Sequence, residues 1–297
     1  MMHFSNPILR PPYEARSVYL QVTTGCSHNR CSYCSYYKDM EFSISPKEEI
    51  INDLKELKNK GYSFKRIWLQ SADPFTLSTK KLEEIAGLIM EYLPFVESIG
   101  CYSRVDSLKN KTIADLKKLK KRGYNSIAFG IESGDDYLLE YADKGYTARD
   151  ITEQISKMDK AGIKYTLIFL SGLGGEGYGY KHAEKTAEII NLLHPERVMI
   201  TGLTLFEDTP LMNEHLEGKF WEAREEERTM ELQRFIEKLE VETFLDATNA
   251  SNTIPIFGRI PENKDAMISH LQESYQKIGE NGLRKKREKS ISQYKKV

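Results

Sequence analysis

Four cysteines and two tryptophans are all that 297 residues contain, and neither sign of charge prevails. There are 43 Lys and Arg against 44 Asp and Glu, for a formal net charge of -1. Four cysteines are too few for a disulfide-stapled secreted scaffold, which carries them far more densely. The balanced charge argues against a surface built to coat nucleic acid. No apolar run approaches the ~18 residues that span a bilayer. The polar, proline-punctuated stretch 1–16 holds no hydrophobic segment able to act as a secretory signal. The expected location is therefore cytoplasmic, with no membrane attachment. There, cysteines serve metals or catalysis more often than bridges.

The near-zero charge hides an asymmetry. Residues 284–297 hold seven basic side chains (Arg284, Lys285, Lys286, Arg287, Lys289, Lys295 and Lys296) and one acid, Glu288, so the tail carries +6 and the rest of the chain -7. Such a run reads as a frayed, solvated terminus.

What the chain does have is alternation. Short β-branched or aromatic runs at 18–23, 66–70, 97–102, 126–131, 164–170 and 198–205 predict strands. Stretches of helical periodicity lie between them, at 46–60, 78–93, 111–122, 147–161 and 180–193. Ser78 and Thr147 suit N-caps, and Gly61, Gly123 and Gly162 suit helix ends. Six β–α repeats predict an α/β fold with parallel strands, a partial (β/α)6 TIM-like barrel, because eight units want ~250 residues. Helices at about 221–242 and 262–280 predict a C-terminal helical extension. The expected organisation is a barrel with an N-terminal extension over 1–215, a helical and loop extension over 216–283 on the same domain, and the basic tail at 284–297.

Directly after the first strand, Cys26, Cys31 and Cys34 stand in Cys-x4-Cys-x2-Cys spacing. Three thiolates in so tight a loop suit iron–sulfur or zinc. A [4Fe-4S] cluster held by three cysteines leaves one iron open, and Cys101 is too far along the chain to be a local fourth ligand. The competing arrangement is a Cys3His zinc site with His28, although structural zinc modules usually pair two ligand dyads far apart in sequence.

A three-cysteine loop after the first strand, with aromatic Tyr33 before the last cysteine, resembles the radical S-adenosylmethionine (SAM) superfamily. The usual spacing there is Cys-x3-Cys-x2-Cys, one residue shorter in the first gap. The stretch from Arg10 through Gln21–Cys31 is similar to short, single-cluster members of the coproporphyrinogen oxidase-like and methylthiotransferase-like branch, and the resemblance extends to about Pro261. It implies a [4Fe-4S] cluster on Cys26, Cys31 and Cys34, with SAM bound beside it and Tyr33 among its contacts. Reductive cleavage would then give a 5′-deoxyadenosyl radical that abstracts hydrogen from a substrate. A one-electron reductant such as flavodoxin or ferredoxin is implied as a partner.

The other strand ends extend the resemblance. Ser71-Ala72-Asp73-Pro74 resembles the Gly-Gly-Glu-Pro segment whose backbone meets the SAM amino group, so Ser71 and Asp73 become candidate contacts; a plain Asp-Pro turn is the alternative. Arg104 offers a bidentate fork for the SAM carboxylate, or a surface ion pair. Gly130-Ile131-Glu132-Ser133-Gly134 matches the branch, which implies Glu132 and Ser133 at the ribose; a helix-start acid is the alternative. In Ser171-Gly172-Leu173-Gly174, Gly172 and Gly174 would let backbone approach adenine.

Residues 204–210 could border the cofactor or substrate, and 251–259 form a candidate lid. His182, His194, His215 and His270 read as surface or capping residues. With one cysteine left over, an auxiliary cluster is not expected. Neither is a preceding cobalamin domain nor a C-terminal RNA-binding barrel, for want of chain. A small or medium-sized substrate is therefore expected. Two other readings stay open: a zinc-stabilised, non-catalytic interaction protein, and a radical enzyme acting on nucleic acid steered by the tail, which the acidic body disfavours.

Overall fold

The computed structural model describes residues 2–5, 8–61 and 64–294. Lys295 and Lys296 of the basic run lie outside them. The strands are β1 (Val18–Gln21), β2 (Thr23–Thr24), β3 (Ser43–Ile44), β4 (Arg66–Gln70), β5 (Ser98–Ser103), β6 (Ile127–Glu132), β7 (Tyr165–Ser171), β8 (Arg197–Gly202), β9 (Thr243–Asp246) and β10 (Phe257–Ile260). The helices are α1 (Lys47–Asn59), α2 (Thr79–Tyr92), α3 (Ile113–Lys121), α4 (Asp136–Tyr141), α5 (Ala148–Ala161), α6 (Gly179–Ile190), α7 (Pro210–Leu216), α8 (Glu225–Lys238) and α9 (Lys264–Tyr294), the last broken at Gly279.

Eight strands form a mostly parallel sheet in the order β1-β4-β5-β6-β7-β8-β9-β10, with β2 and β3 as a separate pair. The fold is thus α/β, and its first six sheet strands are the six expected from the sequence. β4 buries four of its five residues and β7 all seven, which is why such segments read as continuous apolar runs. Two strands were not expected: β9, parallel to β8, and β10, antiparallel to β9. β10 occupies the end of the stretch read as a candidate lid.

The chain divides into two compact units. The first comprises 1–29, 36–130 and 153–165; the second comprises 30–35, 131–152 and 166–297. In the first, α2 turns Leu82, Ile85, Ala86 and Ile89 inward. Each large apolar side chain so buried contributes about 1.5–3 kcal/mol. Ser78 caps this helix through Lys81 N, and Thr112 with Asp115 forms a reciprocal capping box on α3.

In the second unit, Phe169 packs on Phe235 at 4.7 Å between ring centres, joining β7 to α8. The C-terminal segment is not a frayed terminus. Helix α9 runs through most of the basic residues, and Arg287 is buried against Glu222 and Glu225.

Candidate active site

In the first unit the ends of β1, β4 and β5 are tied together by one carboxylate. Asp73 is fully buried and accepts hydrogen bonds from Ser27 Oγ (2.6 Å), Ser107 Oγ (2.7 Å) and the Arg104 backbone N (3.1 Å). Burial nevertheless raises its pKa to about 6, against the pull of those three donors. Ser71, with φ of 103°, donates its hydroxyl to Gly25 O at 2.8 Å. A serine held at that φ is strained, and such strain gathers at functional sites. Both side chains are thus spent on the fold, and they fix the segment that opens the cysteine loop. What they leave free to meet a ligand is backbone.

Arg104 is also committed. Its Nε and Nη2 grip the two carboxylate oxygens of Asp106 at 2.9 and 3.1 Å. The fork is buried rather than part of a surface ion pair. Cys101 is buried, and burial pushes its thiol well above the usual range, so it stays protonated. Lys111, facing Asp73 and Cys101, is lowered to about 8 by its own burial.

The second unit contains the segment with Cys31, Tyr33 and Cys34. Ser32 anchors it, its N donating to Ala142 O at 3.1 Å and its Oγ to Tyr141 O at 3.2 Å, while Leu211 N returns a bond to Ser32 O at 2.9 Å. Tyr33 packs against the apolar cluster of Leu138, Leu173 and Leu205. Its phenol is pushed well up, first by burial, then by Glu132 and the thiols of Cys31 and Cys34.

Glu132 closes β6 with φ of 64°, a second strained non-glycine residue at a strand end. Its carboxylate meets Lys144 Nζ at 3.3 Å, and that ammonium also reaches Tyr33 OH at 3.4 Å and lies over the Tyr146 ring. Lys144 is buried and was not singled out in the sequence. It sits in a turn between Asp143 at φ 46° and Gly145 at φ 75°. Ser133 is fully buried and accepts from Asp135 N at 3.0 Å, so its hydroxyl shapes the start of α4.

Gly172 has φ of 79°, and an added Cβ would lie 2.7 Å from Arg228 Nη1. Its N donates to Glu231 Oε2 at 2.7 Å, and Glu231 Oε1 pairs with His182 Nδ1 at 2.8 Å. His182 is therefore a buried brace behind this loop, not the surface or capping residue expected. Gly174 lies against the Tyr178 ring, where a Cβ would be 2.7 Å from Cδ1.

Cys26, Cys31 and Cys34 form no disulfide and are half-buried. Among the described residues, no three His, Cys, Asp or Glu side chains gather closely enough to hold a single ion. A lone zinc needs its donors converged within about 2.3 Å of one point.

These features coincide with a family match: the sequence profile of the Radical SAM superfamily covers residues 20–190. The chain belongs to the radical SAM superfamily. Among curated relatives, an uncharacterized protein of Methanocaldococcus jannaschii is 27% identical over 68% of this chain and 65% of its own length. The heme chaperone HemW of Bacillus subtilis is 23% identical over 69% of this chain and 54% of its own. The chain thus spans between about half and two thirds of these relatives. The structure of TsrM, a radical SAM methyltransferase from Kitasatospora setae, shares the fold, with a TM-score of 0.56 and 17% identity over 68% of this chain and 37% of that one.

Proposed function

We propose that the chain is a radical SAM enzyme whose [4Fe-4S] cluster is held by Cys26, Cys31 and Cys34. The observation that carries this reading is the loop of three cysteines, none of them in a disulfide, within the family-matched stretch. When bound, the cluster supplies the electron that cleaves SAM to methionine and a 5′-deoxyadenosyl radical, which takes hydrogen from the substrate.

The chain's own residues bind and orient. Glu132 offers carboxylate oxygens to the ribose diol, and Lys144 balances the charge and sets the direction of that carboxylate. Tyr33, kept protonated, is a neutral aromatic wall beside the cofactor. Gly172 and Gly174 bring backbone to the adenine. Ser71 and Asp73 act through the backbone they hold, and Ser133 through the turn it shapes. Arg104 reaches the methionine carboxylate only if it leaves Asp106.

Flavodoxin or ferredoxin would deliver the electron, and a small or medium-sized molecule would be the substrate. The reading in which the basic tail steers nucleic acid has less support, because Arg287 is buried and Lys286 bonds to Thr253 O at 2.6 Å. No helix among the described residues is long and apolar enough to cross a membrane; the proposed location is the cytoplasm.

Anaerobic reconstitution tests the proposal. About four irons per chain and 5′-deoxyadenosine on adding reductant and SAM are expected, both lost in Cys31→Ala. Zinc in place of iron, or an iron-loaded protein that leaves SAM intact, would overturn it.

A further inference from the structure

The loop after β7 reads Gly172-Leu-Gly-Gly-Glu-Gly177, which leaves few side chains of its own to fix its course. Its backbone is held from outside instead. Gly172 N donates to Glu231 Oε2 at 2.7 Å, Gly177 N to Glu227 Oε1 at 3.0 Å and Glu176 N to Trp221 O at 2.8 Å. Glu227 and Glu231 stand four residues apart on α8, so both carboxylates project from one face of that helix. Within the loop, Gly175 N returns to Gly172 O at 3.1 Å, so fixing Gly172 also fixes the turn that carries Gly174.

The two acids are not equivalent. Gly177 is exposed, and its bond competes with water. Glu231 is 1% exposed, and its other oxygen pairs with His182 Nδ1 at 2.8 Å, on a ring that is wholly buried. That ring stands edge-on to Phe169 of β7 at 4.9 Å, and Phe169 packs in turn on Phe235 of α8. A buried carboxylate with a partner on each oxygen has one orientation open to it. Its approach is close: a Cβ on Gly179, the first residue of α6, would lie 3.1 Å from Glu231 Cβ.

We propose that Glu231 is a positioning residue for SAM. It sets where the Gly172–Gly174 backbone stands against the adenine, and His182 locks the carboxylate that does so. The inference rests on the reading of this loop as the adenine contact, in which neither Glu231 nor His182 touches the cofactor. A brace that served the fold alone would, once cut, cost stability and leave SAM affinity unchanged. A positioning carboxylate instead governs how tightly SAM is held.

The test uses the full-length chain, reconstituted anaerobically, with iron content measured for each variant. Glu231→Ala removes both bonds. Glu231→Gln keeps a single acceptor oxygen, which cannot serve both Gly172 N and His182 Nδ1. In Glu231→Ala the Kd for SAM by equilibrium dialysis and the KM for SAM should rise about tenfold or more. The kcat for 5′-deoxyadenosine at saturating SAM should stay within about twofold, and Glu231→Gln should recover part of the affinity. In the cluster-free chain, amide hydrogen exchange over 172–177 should quicken about tenfold in Glu231→Ala. Should Glu231→Ala fail to fold or to load iron, Glu231→Gln carries the same measurements. Native SAM affinity in an iron-loaded variant overturns the inference alone, as does a fall in kcat with KM unmoved. An iron-loaded native chain that binds no SAM overturns the underlying reading, and the inference with it.

Discussion

Asp73 spends its carboxylate on the fold. Its carboxylate is fully buried and joins Ser27 of the cysteine loop to Ser107 and the Arg104 backbone. With its pKa raised to about 6, the folded chain keeps a proton that an unfolded carboxylate, near ~3.9, has lost. Its contribution to stability is therefore full below about pH 4 and is lost as pH rises through about 6. At about 1.4 kcal/mol per pKa unit, roughly two units give about 3 kcal/mol. Asn cannot ionise. Urea unfolding should show Asp73→Asn gaining stability relative to the native chain by about that amount between pH 4 and pH 7. A pH-independent difference would refute the assignment.

At Glu132 the left-handed backbone and the buried Lys144 partner were both invisible in sequence, though the Gly-Ile-Glu-Ser-Gly string itself was plain. Removing one partner strands the other. Lys144→Met should destabilise by about 3 kcal/mol, the usual cost of leaving a buried charge alone. The double variant Lys144→Met with Glu132→Gln should recover part of that loss in the same denaturant titration. Additive losses in this cycle would show that the pair does not couple.

At the scale of elements, the long periodic helices and the strands β1, β4, β5, β6, β7 and β8 were legible because each carries its own signal. That signal is the spacing of Ile50, Leu54 and Leu57 along α1, or an unbroken apolar run such as β7. The short elements were not. α4 has six residues and α7 seven, too few to display a helical repeat, and β9 and β10 become strands through pairing with one another and with β8. Helix α9 is the clearest change of reading. Its basic residues look disposable in one dimension, but Arg287 packs inward. Deleting residues 284–297 should leave buried Glu225 without its arginine and lower stability by about 3 kcal/mol. A chain whose unfolding midpoint is unmoved by that deletion would restore the picture of a solvated tail.

For the whole molecule, radical SAM membership and the α/β fold make a thermodynamic prediction. A ligand that binds only the folded, cluster-loaded form stabilises it by mass action, about 2.7 kcal/mol at a hundredfold excess over Kd. SAM should accordingly raise the anaerobic unfolding temperature of the reconstituted chain and leave Cys26→Ser unchanged. An equal shift in both would mean that SAM binds without the cysteine-held cluster.

The sequence by itself determined the alternation of strands and helices, the three-cysteine loop and the Glu132 string. These are local patterns, set by side-chain periodicity and by residues adjacent in the chain. Only the tertiary structure decided that Asp73, Arg104 and Ser133 spend their side chains on the fold, that His182 braces the Gly172 loop, and that Lys144 and Arg287 point inward. The partners of these groups stand anywhere from 2 to 84 residues away, and burial, which sets their charge and strength, is a property of packed neighbours rather than of any segment.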